Sequence, residues 1–305
     1  MFSRRHPFLF FILISFSIIA ISSIVISLII LTGIKSSTRT EISDFGEKIG
    51  VIDIKGYIGE SREIIRDIRH YRENASIKAI VLRINSPGGA VGPSQEINRE
   101  IQKTIPIKKV VASLGSVAAS GGYYIAAAAS DVMADPGTIT GSIGVIMGFT
   151  DIHDLLQKIG VTPVVIKSGE YKDVGSPVRP MTASEKNLLQ NFSDQVHRQF
   201  ITAVAKGRHL EYDKVAAIAD GRILTGENAM QLGLVDRLGN LEDAIEWAGQ
   251  LGGIHGKIKT VYARDKKFSF LKKLLESSLH DIIGQLSAHR LFAGYVLGGI
   301  PLGGN

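Results

Sequence analysis

The sequence predicts an α/β fold built on a largely parallel, buried sheet, and three observations carry that expectation. Short apolar runs recur at Ile49–Ile54, Ala79–Ile84, Lys109–Leu114 and Val161–Ile166. They are near-continuous rather than alternating, as strands covered on both faces are. Stretches with helical periodicity lie among them, the pattern of strand and helix in turn. Glycine- and serine-rich segments follow the strands, at the ends where open α/β sheets bind ligands. No repeat of about 20–50 residues is present, which excludes a solenoid.

The chain has 305 residues, 45% of them hydrophobic and 21% charged. That length fits two domains or one large domain with appendages. Cysteine is absent, which excludes disulfides, thiolate metal sites and a cysteine nucleophile together. The net charge of +6 is modest and suits a membrane-proximal protein as well as a nucleic-acid binder.

Phe8 to Leu31 is a run of 24 residues without a charge, broken only by Ser15, Ser17, Ser22, Ser23 and Ser27. At about 1.5 Å per residue it spans a hydrocarbon layer of roughly 30 Å with some tilt. A cleaved leader has a shorter apolar region of about 7–15 residues. No small-x-small cleavage site follows this one, so residues 8–32 are read as an uncleaved anchor. Arg4 and Arg5 before it balance Lys35 and Arg39 after it, a tie on the charge rule for orientation. The organisation expected is a tail at 1–7, the anchor at 8–32, a polar tether at 33–48, a globular domain at 49–265 and a distinct tail at 266–305.

Within the domain, Ser61–Tyr71 repeats Ile64, Ile65, Ile68 and Tyr71 as a helical stripe. Its arginines have no interleaved aromatic residues and form a solvated face; no nucleic-acid partner is expected. Helix Ser94–Lys103 follows, with Ile97, Ile101 and Ile105 four apart. Gly121–Ala129 is a short alanine-rich helix. Thr182–Lys206 carries Leu188, Phe192, Val196, Phe200 and Val204 on one stripe and opens with Thr182 and Glu185, a capping box. The tail holds an amphipathic stretch from Phe268 to Ile283, then the apolar, glycine-rich Leu291–Asn305. It reads as a docking helix at a subunit interface or as a membrane-surface contact.

No Walker loop, H-E-x-x-H, G-x-G-x-x-G or G-x-S-x-G is present, so no cofactor and no metal are expected. Asp151, His153 and Asp154 open a helix, where a cap is a simpler account than a metal site. Asn85-Ser86-Pro87-Gly88-Gly89 suits a turn. It also leaves backbone N–H groups uncovered at a strand end, as an oxyanion hole requires. Gly115 to Tyr124 follows the next strand and opens a helix. There Ser120 is either an N-cap or a nucleophile favoured by the helix dipole, and Ser116 is its rival. No histidine sits in a comparable setting to serve as base. Lys167 to Asp173 supplies lysines after the Val161–Ile166 run, and a lysine acts as base only once desolvation or a cationic neighbour lowers its pKa. Gly137 to Gly144 adds small hydroxyl residues that could orient such a lysine.

Together these segments resemble the signal peptide peptidase A family in its short form, membrane-anchored serine proteases of the crotonase/caseinolytic-protease (ClpP-like) fold, a repeated ββα superhelix. The likeness covers roughly Gly50 to Gly239. It rests on Asn85–Gly89, Gly115–Tyr124, Thr140–Ile146, Lys167–Asp173, Ser176–Glu185 and Ala219–Asp236, in the family's order. The resemblance implies Ser120 as nucleophile, Lys172 as general base, Ser142 as the residue that orients the lysine, and the N–H groups of Gly89 and Ser120 as oxyanion hole. It also implies an ATP-independent endopeptidase acting on signal peptides left in the membrane. The expected assembly is a homo-oligomer sharing its substrate groove, held in the bacterial cytoplasmic membrane with the catalytic domain outside. Two other expectations remain: acyl-thioester chemistry of the crotonase type, which needs no Ser120, and a non-catalytic membrane scaffold.

Overall fold

The computed structural model describes residues 8, 15–17, 19–24, 46–263 and 294–296. Residues 1–46 and 47–305 are separate units. Most of the expected anchor, the tether and nearly all of the tail lie outside the described residues. Residues 15–17 and 19–24 are helical; among the described residues no helix is long and apolar enough to cross a membrane.

The larger unit is a mixed α/β sheet with helices on both faces. In chain order its elements are β1 (Lys48–Ile58), α1 (Arg62–Glu73), β2 (Ile77–Ala90), α2 (Val91–Thr104), β3 (Lys109–Ala119), α3 (Gly121–Ala126), β4 (Asp131–Ala134), β5 (Ile139–Gly141), α4 (His153–Lys158), α5 (Ala183–Arg208), α6 (Tyr212–Ala216), β6 (Ile223–Thr225), α7 (Gly226–Gln231), β7 (Arg237–Leu238), α8 (Leu241–Leu251), β8 (Lys259–Tyr262) and β9 (Gly294–Val296). The central path runs β6-β5-β3-β2-β1-β8. β1 to β3 pair in parallel, so that Ile52 lies beside Leu82 and Leu82 beside Ala112.

Strand periodicity explains the continuous apolar runs. Ile52, Ile54, Ile80, Leu82, Ile84, Val110, Ala112 and Leu114 join one buried cluster, with Ile68, Ile97 and Phe200 of α1, α2 and α5. The intervening Ile49, Val51, Ala79, Val81 and Val111 join a second, with Ala244, Ile245, Trp247 and Ala248 of α8. Successive side chains face opposite sides; both sides are covered, so apolar residues fill most positions, while Arg83 and Ser113 pair with each other across β2 and β3 at 2.9 Å.

The strands extend beyond their apolar runs. β2 continues through Asn85–Gly89, where the sequence suggests a turn, and β3 through Gly115–Ala119. Register shifts between Lys55 and Tyr57 of β1 and between Ile84 and Ser86 of β2 mark where the strands bend. β3 accordingly pairs with β4 over Val111–Leu114 and with β5 over Val117–Ala119. The sheet thus has an inner tier that forms the core and an outer tier, rich in glycine and serine, that carries the site.

Two expectations fail. Val161–Ile166 is not a strand: Ile159 to Thr182 contains neither helix nor strand, and Val164 and Ile166 are 83% and 97% exposed. The run has strand composition but pairs with no strand among the described residues. The stripe on α5 is also divided. Val196, Phe200 and Val204 are buried, with the Phe200 ring tilted against Tyr124 at 5.0 Å, whereas Leu188 and Phe192 are exposed. The helix outruns the core it packs on. Its capping box forms as expected, Thr182 Oγ1 accepting from the Glu185 N–H and Glu185 from the Thr182 N–H.

Candidate active site

The outer tier places three of the four predicted site residues at the ends of neighbouring strands. Ala119 of β3 lies opposite Gly141 of β5, so Ser120 and Ser142 follow side by side. Gly88 and Gly89 lie near the end of β2, on the other side of β3. Ser142, Ser120 and Gly89 therefore sit at the ends of three adjacent strands, at the carboxyl edge of the sheet, the usual ligand position in such folds.

The backbone is held in an uncommon conformation there. Among the described residues only Ser120, Ser142 and His209 combine a side chain with positive φ, and Ser120 has φ 52° and ψ −118°. Such conformations cost on the order of 1–3 kcal/mol and persist where surrounding structure enforces them. The constraints on Ser120 are named: its N–H donates to the Gly141 carbonyl at 2.8 Å and its carbonyl accepts from the Tyr124 N–H at 2.8 Å. Asn98 Nδ2 holds the Tyr124 carbonyl at 2.8 Å, and the Ser142 N–H donates to the Arg222 carbonyl at 2.8 Å. Ser120→Gly should consequently be more stable than Ser120→Ala by about 1 kcal/mol. Equilibrium urea unfolding of the two variants measures this, and coincident midpoints would contradict strain at residue 120.

The first bond corrects the oxyanion assignment. The Ser120 N–H already has an acceptor and points into the β3–β5 ladder. The next amide, that of Gly121 in the first turn of α3, has no intrachain acceptor among the described residues, as expected of an uncapped helix start. Gly89 lies in β2 between Ile58 of β1 and Tyr295 of β9. A Cβ there would fall on the carbonyl of Ile58 in β1, so only glycine lets β2 lie this close. Ser86 braces the turn, its Oγ donating to the Gly56 carbonyl at 2.6 Å and accepting from the Gly88 N–H at 3.1 Å. Gly121 was hidden in sequence because any helix start offers free amides; which one survives depends on where residue 120 points.

The serines also separate. Ser116 is exposed within β3, in ordinary strand geometry, whereas Ser120 is 1% exposed at the strained strand end. Neither the Ser120 nor the Ser142 hydroxyl has a hydrogen-bond partner among the described residues.

Lys172 makes no hydrogen bond to either serine. It lies in the irregular segment after α4, is exposed, and makes no hydrogen bond or ion pair with its side chain among the described residues. Lys167, the other lysine of that motif, is committed: its Nζ donates to Asp173 Oδ1 at 2.6 Å and to the Glu170 carbonyl at 2.7 Å. Asp151 accepts from the His153 N–H at 2.9 Å just before α4, whose N-cap position is Ile152 and has no side-chain cap.

Sequence comparisons agree with this geometry. The chain matches the description of peptidase family S49 over residues 102–255 and that of Clp protease over residues 50–138. A Synechocystis protein named as a protease is 45% identical over 222 residues, covering 72% of this chain and 77% of that one. An Enterococcus faecium relative named signal peptide peptidase SppA is 36% identical over 217 residues, 70% of this chain and 61% of its own. The chloroplastic serine protease SPPA of Arabidopsis thaliana is 37% identical over 195 residues, 64% of this chain and 29% of its own. Fold and site define a serine endopeptidase on the ClpP/crotonase-like α/β fold. The chain belongs to peptidase family S49, and the acyl-thioester and scaffold readings give way to that finding.

Proposed function

We propose that this endopeptidase uses a Ser–Lys dyad completed between copies of the chain, with Ser120 of one copy facing Lys172 of its neighbour. The observation that carries the reading is Ser120 itself, a strained, buried serine with an unpartnered hydroxyl next to the acceptor-free Gly121 amide. A lysine base must be neutral, and neutrality requires removal from water. Lys172 is exposed in the single chain, so a second copy is the source of that desolvation. The exposed run 161–166 and the exposed Leu188 and Phe192 of α5 supply apolar surface for the contact.

In the reaction, neutral Lys172 Nζ takes the proton of Ser120 Oγ as the oxygen attacks the scissile carbonyl carbon. Negative charge on the former carbonyl oxygen is met by the Gly89 and Gly121 N–H groups, each donor of this kind worth about 3–4 kcal/mol in the transition state. The Lys172 ammonium returns its proton to the departing amine. Neutral again, Lys172 takes a proton from the water that attacks the acyl carbon and delivers it to Ser120 Oγ as the acyl–oxygen bond breaks and the carboxylic acid leaves. Ser142, beside Ser120, accepts a hydrogen bond from the amine and fixes its direction.

Substrates bind extended, adding a strand to β2. β9 supports this mode: Gly294, Tyr295 and Val296 lie antiparallel to Ala90, Gly89 and Gly88. The apolar run at 8–32 anchors the enzyme in the bacterial cytoplasmic membrane with the catalytic domain outside. Enzyme and apolar signal peptides then share one surface at raised effective concentration. The test is a serine-directed phosphonate probe applied to the full chain in detergent beside a synthetic signal peptide. Labelling at Ser120 together with internal cleavage of the peptide is expected; labelling at Ser116, or none, would overturn the reading. If β9 occupies the substrate edge about nine-tenths of the time, deleting residues 266–305 should lower KM roughly tenfold with kcat unchanged. An unaltered KM would place substrates elsewhere.

A further inference from the structure

Lys172 sits in a segment without helix or strand, yet a base must be placed to within about an ångström, since a 1 Å error costs roughly a hundredfold in rate. Something other than secondary structure must hold this loop. Its backbone turns are short-range: Lys172 N–H to the Gly169 carbonyl at 3.2 Å and Ser176 N–H to the Asp173 carbonyl at 3.0 Å. They shape the loop without tying it to the fold.

The end of the segment is joined to the start of α4, the Ile152 N–H donating to the Pro177 carbonyl at 2.7 Å, but the side-chain tie next to Lys172 is Arg179. Its Nε donates to Asp173 Oδ2 at 2.8 Å, and its terminal nitrogens to Asp173 Oδ1 at 2.8 Å and the Asp173 carbonyl at 3.3 Å. The same group donates to Glu185 Oε2 at 2.9 Å, to Glu185 Oε1, and to the Pro180 carbonyl at 3.2 Å. Asp173 directly follows Lys172, and Glu185 is the residue that caps α5 through the Thr182 N–H at 2.9 Å. We propose that Arg179 is a positioning residue for Lys172, its guanidinium clamping the loop onto the first turn of α5 by joining Asp173 to Glu185. The inference rests on the proposed role of Lys172 and adds what fixes it.

A planar guanidinium suits this task because its fork meets two carboxylates at once, which the point charge of a lysine does not. Both carboxylates stay ionised. Hydrogen bonds from Arg179, with Lys167 next, hold Asp173 well below the usual carboxylate range. Arg179 foremost, with the Thr182 N–H, brings Glu185 down from 4.5 to about 2. A depressed folded pKa means the contribution of Glu185 is complete above pH 4.5 and is lost as pH falls towards 2. The clamp therefore persists wherever a neutral amine could act.

The test uses the full chain in detergent and a synthetic peptide, with kcat and KM determined separately. Arg179→Met keeps the apolar stem and removes every donor; kcat should fall about a hundredfold with KM within roughly twofold. Arg179→Lys, able to meet one carboxylate, should recover about tenfold of that loss. Asp173→Asn, which leaves the α5 cap intact, should show the same kcat-selective fall at roughly tenfold and serves if Arg179→Met does not fold. An unchanged kcat in the folded Arg179→Met or Asp173→Asn chain, beside an inactive Lys172→Ala, would overturn the positioning role alone. A fully active Lys172→Ala chain would overturn the dyad and the clamp together.

Discussion

Replacing Ser120 by alanine should reduce peptide turnover by about six orders of magnitude, the scale on which a serine nucleophile acts. Lys172→Ala should be nearly as damaging, because an unactivated hydroxyl is a weak nucleophile. The double variant should be no worse than either single one, since a nucleophile and its base act as a unit and their losses do not add. What remains, about 10³–10⁴ over the uncatalysed reaction, belongs to the oxyanion hole and to binding. Initial rates on a fluorogenic peptide, with circular dichroism to show that each chain is folded, measure all three. A Ser120→Ala or Lys172→Ala chain retaining more than about one per cent of the parental kcat would be incompatible with the dyad.

The inner tier of the sheet was legible because burial on both faces imposes one rule at most positions. Ile49–Ile54, Ala79–Ile84 and Lys109–Leu114 all lie within strands. The outer tier was not. Asn85–Gly89 has turn composition but is strand, because glycine permits β2 to crowd the Ile58 carbonyl, and β3 runs on through Gly115–Ala119. Their backbone polar groups are satisfied by neighbours that local sequence does not reveal. For Val161–Ile166 the error ran the other way: apolar composition suggested a strand, and no partner strand exists within the described chain. A strand needs an edge to join, which a local window cannot supply.

The candidate site divides along the same line. Ser120 and Gly89 were visible as small residues at strand ends. The orientation of the Ser120 N–H towards Gly141 was not, because it depends on a positive φ at a residue that is not glycine. Arg179 stood in the quoted Ser176–Glu185 motif, but its function arises only when Asp173 and Glu185 meet in space.

Mixing two inactive chains should restore activity. In a Ser120→Ala chain Lys172 is intact, and in a Lys172→Ala chain Ser120 is intact. If each dyad forms within one chain, every chain in the mixture carries a lesion and the rate stays at background. If each dyad forms across a head-to-tail contact, some junctions pair an intact serine with an intact lysine. In a ring assembled at random from equal amounts, that requires the right variant on each side, so about a quarter of junctions are competent. The recovered kcat should be about a quarter of the parental value per chain, a rise of roughly five orders of magnitude over either variant alone. Co-expression is the appropriate protocol, since preformed rings of a single variant must exchange subunits before hybrid junctions exist. The dependence on mixing ratio distinguishes recovery from contamination, because competent junctions vary as the product of the two fractions and peak at equal amounts. Background activity at every ratio, from chains shown to co-assemble, would require Lys172 to reach Ser120 within its own chain by a rearrangement of the segment Ile159 to Thr182.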